Sequence, residues 1–233
     1  MTLDHAIRLT AAVMAAAFVQ QSAEHLRPAA RGTERALFAP RLILSLLLLA
    51  AAASGAPPPA LLLALVANHL FILPFFNGPY NGGADRMSLL ILLCLTAAVL
   101  LPEPRRREAA FGYLAMQLLL SYAVAGAVKI VNPAWRDGGA LRDVFRFSAY
   151  PAGDNIRRLA DRPRLLRAAG WAVMLFELAF PLAILSRAAL IVALVVAALF
   201  HLANACLFGL NRFFWIWLCA YPSLLWLQER VVG

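Results

Sequence analysis

Apolar residues run along this chain in blocks too long for strands and too continuous for the one-sided helices of a water-soluble globule. Eight stretches stand out: 7–23, 41–54, 60–76, 87–101, 109–131, 168–185, 188–209 and 213–227. Breaks separate them. Gly55 and Pro57-Pro58-Pro59 force a tight turn, and residues 77–85 (NGPYNGGAD) read as a turn or re-entrant loop. Pro102 ends one run, and Arg105-Arg106-Arg107 follow as a short basic loop. Residues 132–167 form the longest polar segment, with eight arginines, and predict one or two surface helices. No alternating strand pattern is present, and backbone groups in lipid must be satisfied internally, so the stretches read as helices. The expected architecture is all-α, a polytopic integral membrane bundle of seven or eight spans of about 20 residues each. All of residues 1–233 are expected to form one domain. The first stretch carries Arg8 near its start and Gln20-Gln21 near its end. It fits either a span or a helix lying in the interface.

Composition narrows the class. Hydrophobic residues make up 63% and charged residues 14%, against roughly 45–50% and about 25% in soluble domains. That balance excludes a disordered chain, a coiled coil, a disulfide scaffold and a water-soluble globule. The net charge is +9. Its arginines lie in short stretches between apolar runs, which suits an anionic membrane face and not nucleic acid. In an eight-span arrangement, loops 24–41, 77–86, 132–167 and 209–212 hold fourteen basic residues, and the other side holds six. The positive-inside rule then places the first set in the cytoplasm and both termini outside. Asp4 and His5 precede the apolar residues 9–19, and no small-residue cleavage site ends them, so no cleavable signal peptide is expected. Cys94, Cys206 and Cys219 lie far apart within apolar runs. They indicate no disulfide framework and no metal site, and read as small fillers of helix interfaces.

Ionisable groups inside spans cost about 2.5–3.5 kcal/mol even on the mildest scale. They therefore mark candidate chemistry. Four inner positions qualify, His69, Lys129, Glu177 and His201, with Asp85 at a span edge. Lys129 is the one lysine beside twenty arginines. Arginine keeps its charge, whereas a desolvated lysine can give up its proton and act as a base. Tyr122 and Gly126 precede Lys129 by two turns and one turn on the same helix face. Gly126 opens that face to close approach by a neighbour or a ligand. The alternative is that Lys129 snorkels to water, since Asn132 and Pro133 follow within a turn. Glu177 sits between apolar stretches, with Pro181 four residues later. It reads as the ion-pair partner of the lysine, as a proton-handling group, or as a protonated acid bonded within the bundle. His201 and Asn204 share a face of the seventh run, and His69 follows Asn68 in the third. Each histidine reads as a satisfied core residue; two histidines on separate helices can also ligate a haem.

At this point the run LLSYAVAGAVKIVNPAWRDGGALRDVF, residues 119–145, resembles the signature of the HTTM family, the horizontally transferred transmembrane domains related to vitamin K-dependent gamma-carboxylase. Tyr122, Ala125-Gly126, Lys129, Trp135, Asp137-Gly138 and Ala140-Leu141 carry it. Gly82-Gly83-Ala84-Asp85, FELAFPLAIL at 176–185, the Phe200-His201 pair, Phe213-Phe214 and YPSLL at 221–225 follow the family's order. The resemblance implies a bundle of about eight spans. It also implies a reduced, vitamin K-like quinone as cofactor, with the lysine matched by Lys129 as the base that deprotonates it. Two departures accompany it. The carboxylase has a histidine in the loop before its Leu-rich span, where this chain offers Asn81 or Asp85. Its large peptide-binding domain has no counterpart within these residues, so glutamate carboxylation is not carried over. The carboxylase would also put the loop after Lys129 on the lumenal side, against the basic-residue count.

The leading expectation is a bacterial inner-membrane, multi-pass protein performing quinol-linked, carboxylase- or oxygenase-like base chemistry on a small molecule or peptide. Lys129, Glu177 and His201 would be catalytic. Tyr122, Asn81, Asp85, Asn204 and Trp135 would bind substrate, with Trp135 also anchoring its helix end at the interface. No metal is indicated. The competing expectation is a non-enzymatic membrane subunit of a biosynthesis, maturation or export system, working with a partner redox or biosynthetic protein. A transporter or haem-binding electron carrier is a third reading, weakened by the lack of a visible inverted repeat.

Overall fold

The structure, a computed structural model, describes residues 1–28, 32–76, 82–148 and 153–233. Its helices are α1 (Leu3–His25), α2 (Gly32–Ser54), α3 (Pro59–Phe76), α4 (Gly82–Leu100), α5 (Pro104–Val131), α6 (Pro133–Arg136), α7 (Gly139–Phe147), α8 (Asp154–Arg157), α9 (Pro163–Ala179), α10 (Arg187–Phe208) and α11 (Asn211–Val231). Tight 3₁₀ segments, Arg158–Asp161 and Phe180–Leu185, flank α9. No strand occurs among the described residues. Five helical segments are long and apolar enough to cross a membrane: Gly32–Ser54, Gly82–Leu100, Pro104–Val131, Pro163–Leu185 and Arg187–Phe208. Pro59–Phe75 is apolar but shorter. One side of α10 exposes Ile191, Val192, Val195, Val196, Leu199 and Leu202, and α5 exposes Met116, Leu120, Val124 and Val128 at helical spacing. In water such faces would drive aggregation; in a bilayer they are the lipid-facing sides.

The chain divides into two compact units. The first comprises Met1–Ala115 with Asn211–Val231 and Gly233. Here α1 packs against α2 and α11, while α3 lies against α2 and α4. Ala6, Ala11, Ala15 and Ala17 are buried along α1 together with Ile7, Met14 and Phe18. Small side chains let the neighbouring helices approach α1 closely. Arg8 completes its seat, because its Nε and Nη2 donate to the carbonyls of Ala52 and Ala53 at the carboxyl end of α2 (both 3.2 Å). The second unit comprises Met116–Leu210 and Val232. It holds the later turns of α5, helices α6 to α10, and the two 3₁₀ segments.

Several expected boundaries move, each for a local reason. The basic loop at 105–107 is the first turn of α5, where Arg107 donates to Asp4 and, at 2.8 Å, to the Ala98 carbonyl. Helix α2 begins at Gly32, ahead of the expected 41, and carries Pro40 inside it. Arg41, counted above as a loop charge, is fully buried. Residues 82–85 open α4 instead of closing a loop, since Gly83 leaves room for the Phe213 ring, whose nearest atom would lie 3.0 Å from an added Cβ. The remainder of that expected turn, including Asn81, lies outside the described residues. The polar segment ends earlier than 167, because α9 starts at Pro163, a residue suited to a helix's first position. Cys94 and Cys219 are buried fillers, but Cys206 is exposed.

Candidate functional site

The site is built from one face of α5. Leu118, Tyr122 and Gly126 are buried there in succession, and Lys129 follows one turn later. Gly126 has a definite purpose. A Cβ at that position would sit 2.9 Å from the Leu178 backbone nitrogen and 3.1 Å from the Glu177 Cβ. Only a glycine lets the backbone of α9 come this near to α5, so the neighbour the sequence left unnamed is α9 itself. The approach delivers Glu177 to Lys129. Nζ donates to both Oε1 and Oε2 at 2.6 Å. Glu177 is 3% exposed, and the Lys129 side chain is 19% exposed. Pro181 cannot donate to the Glu177 carbonyl, and α9 accordingly ends at Ala179 and tightens into the 3₁₀ segment Phe180–Leu185.

Two further groups complete this part. The Trp135 ring lies 5.3 Å from Lys129 Nζ, close enough for a cation–π contact. Its helix, α6, is capped by the Asn132 side chain, which accepts from the Ala134 N–H at 3.0 Å. Gly138, with φ of 86°, then turns the chain against the Arg167 backbone, which an added Cβ would meet at 2.8 Å. On α10, His201 Nε2 is 3.0 Å from the Tyr122 hydroxyl. The Tyr122 ring stacks on Phe180 with centroids 3.9 Å apart and meets Phe176 edge-on at 6.2 Å. Phe176 and Phe180 also line an open apolar groove of about 440 Å³, with Ala183, Ala189, Val192 and Val196 among its other walls.

Of the expected site residues, Tyr122, Lys129, Trp135, Glu177 and His201 therefore share the second unit and touch one another in pairs. Asn204 lies one turn beyond His201, half-buried, and its carbonyl accepts from the Gly209 and Leu210 amides that end α10. Asp85 belongs to the first unit, where Arg212 occupies its carboxylate at 3.3 and 3.4 Å. Asp85 is the centre of a second buried polar network. Its backbone carbonyl accepts from His69 Nε2 at 2.8 Å, so His69 Nδ1 is the acceptor for Arg41 Nη2 at 3.1 Å. Arg41 lies over the Phe18 ring, 3.5 Å from its centroid. Arg212 Nη2 also meets His25 Nε2 at 2.6 Å. Both ring nitrogens of His69 are thus engaged, which does not fit haem ligation. Arg41, Arg212, His25, Phe176 and Phe180 were not picked out from the sequence. A carboxylate at the edge of an apolar span calls for a cationic partner, and that signal at Asp85 could have led to an arginine, though not to which one. Among the described residues no cluster of histidine, cysteine and acidic side chains suits a metal ion.

A helical chain with lipid-facing sides and ionisable residues turned inward is an integral membrane protein. Residues 109–228, more than half of the chain, match the HTTM domain, and the protein belongs to that family. The match begins in α5 and takes in Lys129, Glu177 and His201. No curated protein and no solved structure gives a significant match.

Proposed function

We propose that this protein carries out quinol-linked, base-assisted chemistry on a small molecule or short peptide in a bacterial inner membrane, with Lys129 as the general base. The observation that carries the reading is the pairing of the chain's one lysine with a carboxylate that is almost fully buried. Moving one proton from Nζ to a Glu177 oxygen would leave both groups neutral in a low-dielectric setting. The amine then has a free lone pair, which no arginine could offer. Glu177 acts as the reservoir for that proton, and Tyr122 and His201 hold a second polar point beside it. Trp135 covers Lys129 and limits its contact with water. Asn204 extends the polar edge of α10. Asp85 belongs to the other compact unit, with Arg212 at its carboxylate.

The apolar groove bears on the cofactor. Phe176 and Phe180 offer aromatic faces to a flat ring, and the alanine and valine walls suit a hydrocarbon tail. These residues fit a reduced quinone, which when bound supplies reducing equivalents and an acidic hydroxyl. The test uses purified protein in bilayer discs. Lipid extracts analysed by mass spectrometry are expected to hold a quinone in stoichiometric amount. Consumption of an added reduced naphthoquinone should be lost in Lys129→Arg, which keeps the positive charge but removes the base. Wild-type turnover by Lys129→Arg, or no retained quinone, would reject the reading.

One observation favours a second reading, a non-enzymatic subunit of a biosynthesis, maturation or export system. Both carboxylate oxygens of Glu177 are already taken by Lys129, so the pair can serve as a clasp between α5 and α9. That reading expects a co-purifying partner protein, no quinone, and an unaltered complex with Lys129→Arg.

A further inference from the structure

We infer that α7, the 3₁₀ segment Arg158–Asp161 and the first turn of α9 form a docking surface for anionic phospholipid. The argument begins with topology. Helix α5 ends at Val131, and the next membrane-crossing segment begins at Pro163. Both flanks therefore enter the bilayer, and the short helices between them stay at headgroup level. Helix α7 has no buried residue, yet it is not polar throughout. Arg142 and Arg146 recur one turn apart, while Val144 and Phe147 are 39% and 75% exposed. The Phe145 ring meets Phe208 edge-on, centroids 5.1 Å apart, which fastens α7 to the end of α10. A helix fixed in place with a bare phenylalanine beside arginines suits an interface, not open water.

The charges are unbalanced in the same direction. Arg136, Arg142, Arg146, Arg158, Arg162, Arg164 and Arg167 are all exposed. Three carboxylates of the segment are already engaged: Asp161 pairs with Arg146 at 2.9 Å, Asp143 with Arg142 at 3.5 Å, and Asp137 accepts from the Gly139 amide at 2.7 Å. Arg158, Arg162 and Arg164 have no carboxylate partner among the described residues. Arg162 and Arg164 line an open cleft of about 510 Å³ together with Pro163, Leu165, itself 53% exposed, and Asp161, whose carboxylate is paired with Arg146. Guanidinium groups suit phosphate oxygens, and the neighbouring Leu165 and Phe147 suit acyl chain. A nucleic acid or an acidic peptide would satisfy the arginines but leave those apolar side chains in water. This inference does not depend on the proposed chemistry at Lys129.

The experiment uses the full chain, extracted in detergent and exchanged against mixed phosphatidylglycerol and phosphatidylcholine micelles, with retained lipids counted by native mass spectrometry. Wild type should retain phosphatidylglycerol preferentially, and the preference should fall as salt rises. The triple variant Arg158→Gln, Arg162→Gln, Arg164→Gln should weaken retention by about fivefold per arginine. Arg105→Gln, a charge control in the first unit, should not. Equal retention of the two lipids by wild type overturns the inference, as does undiminished retention by the triple variant, or tighter binding of a polyglutamate peptide than of phosphatidylglycerol. Should the triple variant not fold, salt-independent retention by wild type overturns it equally.

Discussion

Each compact unit contains an ion pair whose carboxylate is almost wholly buried, and the two are built from different cations. In the first unit Asp85 meets Arg212 at 3.3 and 3.4 Å, and the pair is extended by His25, His69 and Arg41. In the second, Glu177 meets Lys129 at 2.6 Å through both oxygens, with the Trp135 ring 5.3 Å from Nζ. A guanidinium keeps its proton, so Arg212 holds Asp85 as a brace with a fixed positive charge. An ammonium can yield its proton. Under the proposed function, arginine stands where a charge stays and the one lysine where a proton has a carboxylate to move to. The comparison teaches that two similarly buried carboxylates can be paired with cations of different proton chemistry.

That contrast can be broken in order of expected effect. Asp85→Ala removes the carboxylate facing Arg212 and should be the most damaging change. About 3–5 kcal/mol of stability should be lost in detergent unfolding, in line with other buried pairs deprived of one partner. Glu177→Ala should cost somewhat less, about 3 kcal/mol, since the Lys129 side chain is 19% exposed and part of its charge reaches solvent. The double change Lys129→Leu, Glu177→Leu should recover most of that stability while abolishing any turnover. If it is as unstable as Glu177→Ala, the pair does more for packing than its charges explain. Gly126→Leu should cost about 1–3 kcal/mol by overpacking and drive α9 from α5. Disulfide trapping between cysteines placed at 125 and 178 should then be lost, and trapping as efficient as in the glycine protein would contradict the close approach. Trp135→Ala should have the smallest effect, about 0.5–1 kcal/mol, read as a small drop in unfolding midpoint with the Lys129–Glu177 pair intact.

Much of this was legible along the chain. Apolar runs at 168–185, 188–209 and 213–227 became α9 with its 3₁₀ extension, α10 and α11, because hydropathy is a local property of sequence. Pro181 stands just past the end of α9, inside a run read as one continuous span, and Ser186 and Gly209 mark the limits of α10 as its two caps. The rarity of lysine drew attention to position 129, and one of the roles open to Glu177 was that of its partner. Two of the differences involve arginine, at Arg41 and Arg107; the others turn on Gly83 and Pro163. Arg41, Arg107 and Arg212 look like loop charges in a list of residues. Whether a guanidinium faces water or stacks on Phe18 depends on residues more than twenty positions away.

What the sequence by itself determined is the class: long apolar helices with few, costly ionisable residues, since lipid permits little else. It also determined which face of α5 carries Tyr122, Gly126 and Lys129, because helical spacing is fixed by the backbone. Tertiary structure alone decided that Glu177 and not another acid reaches Lys129, that Asp85 is claimed by Arg212, and that Phe176 and Phe180 join Tyr122 to an apolar groove. Those outcomes depend on which helices pack together, and in a uniformly apolar chain nothing local to either partner states that choice.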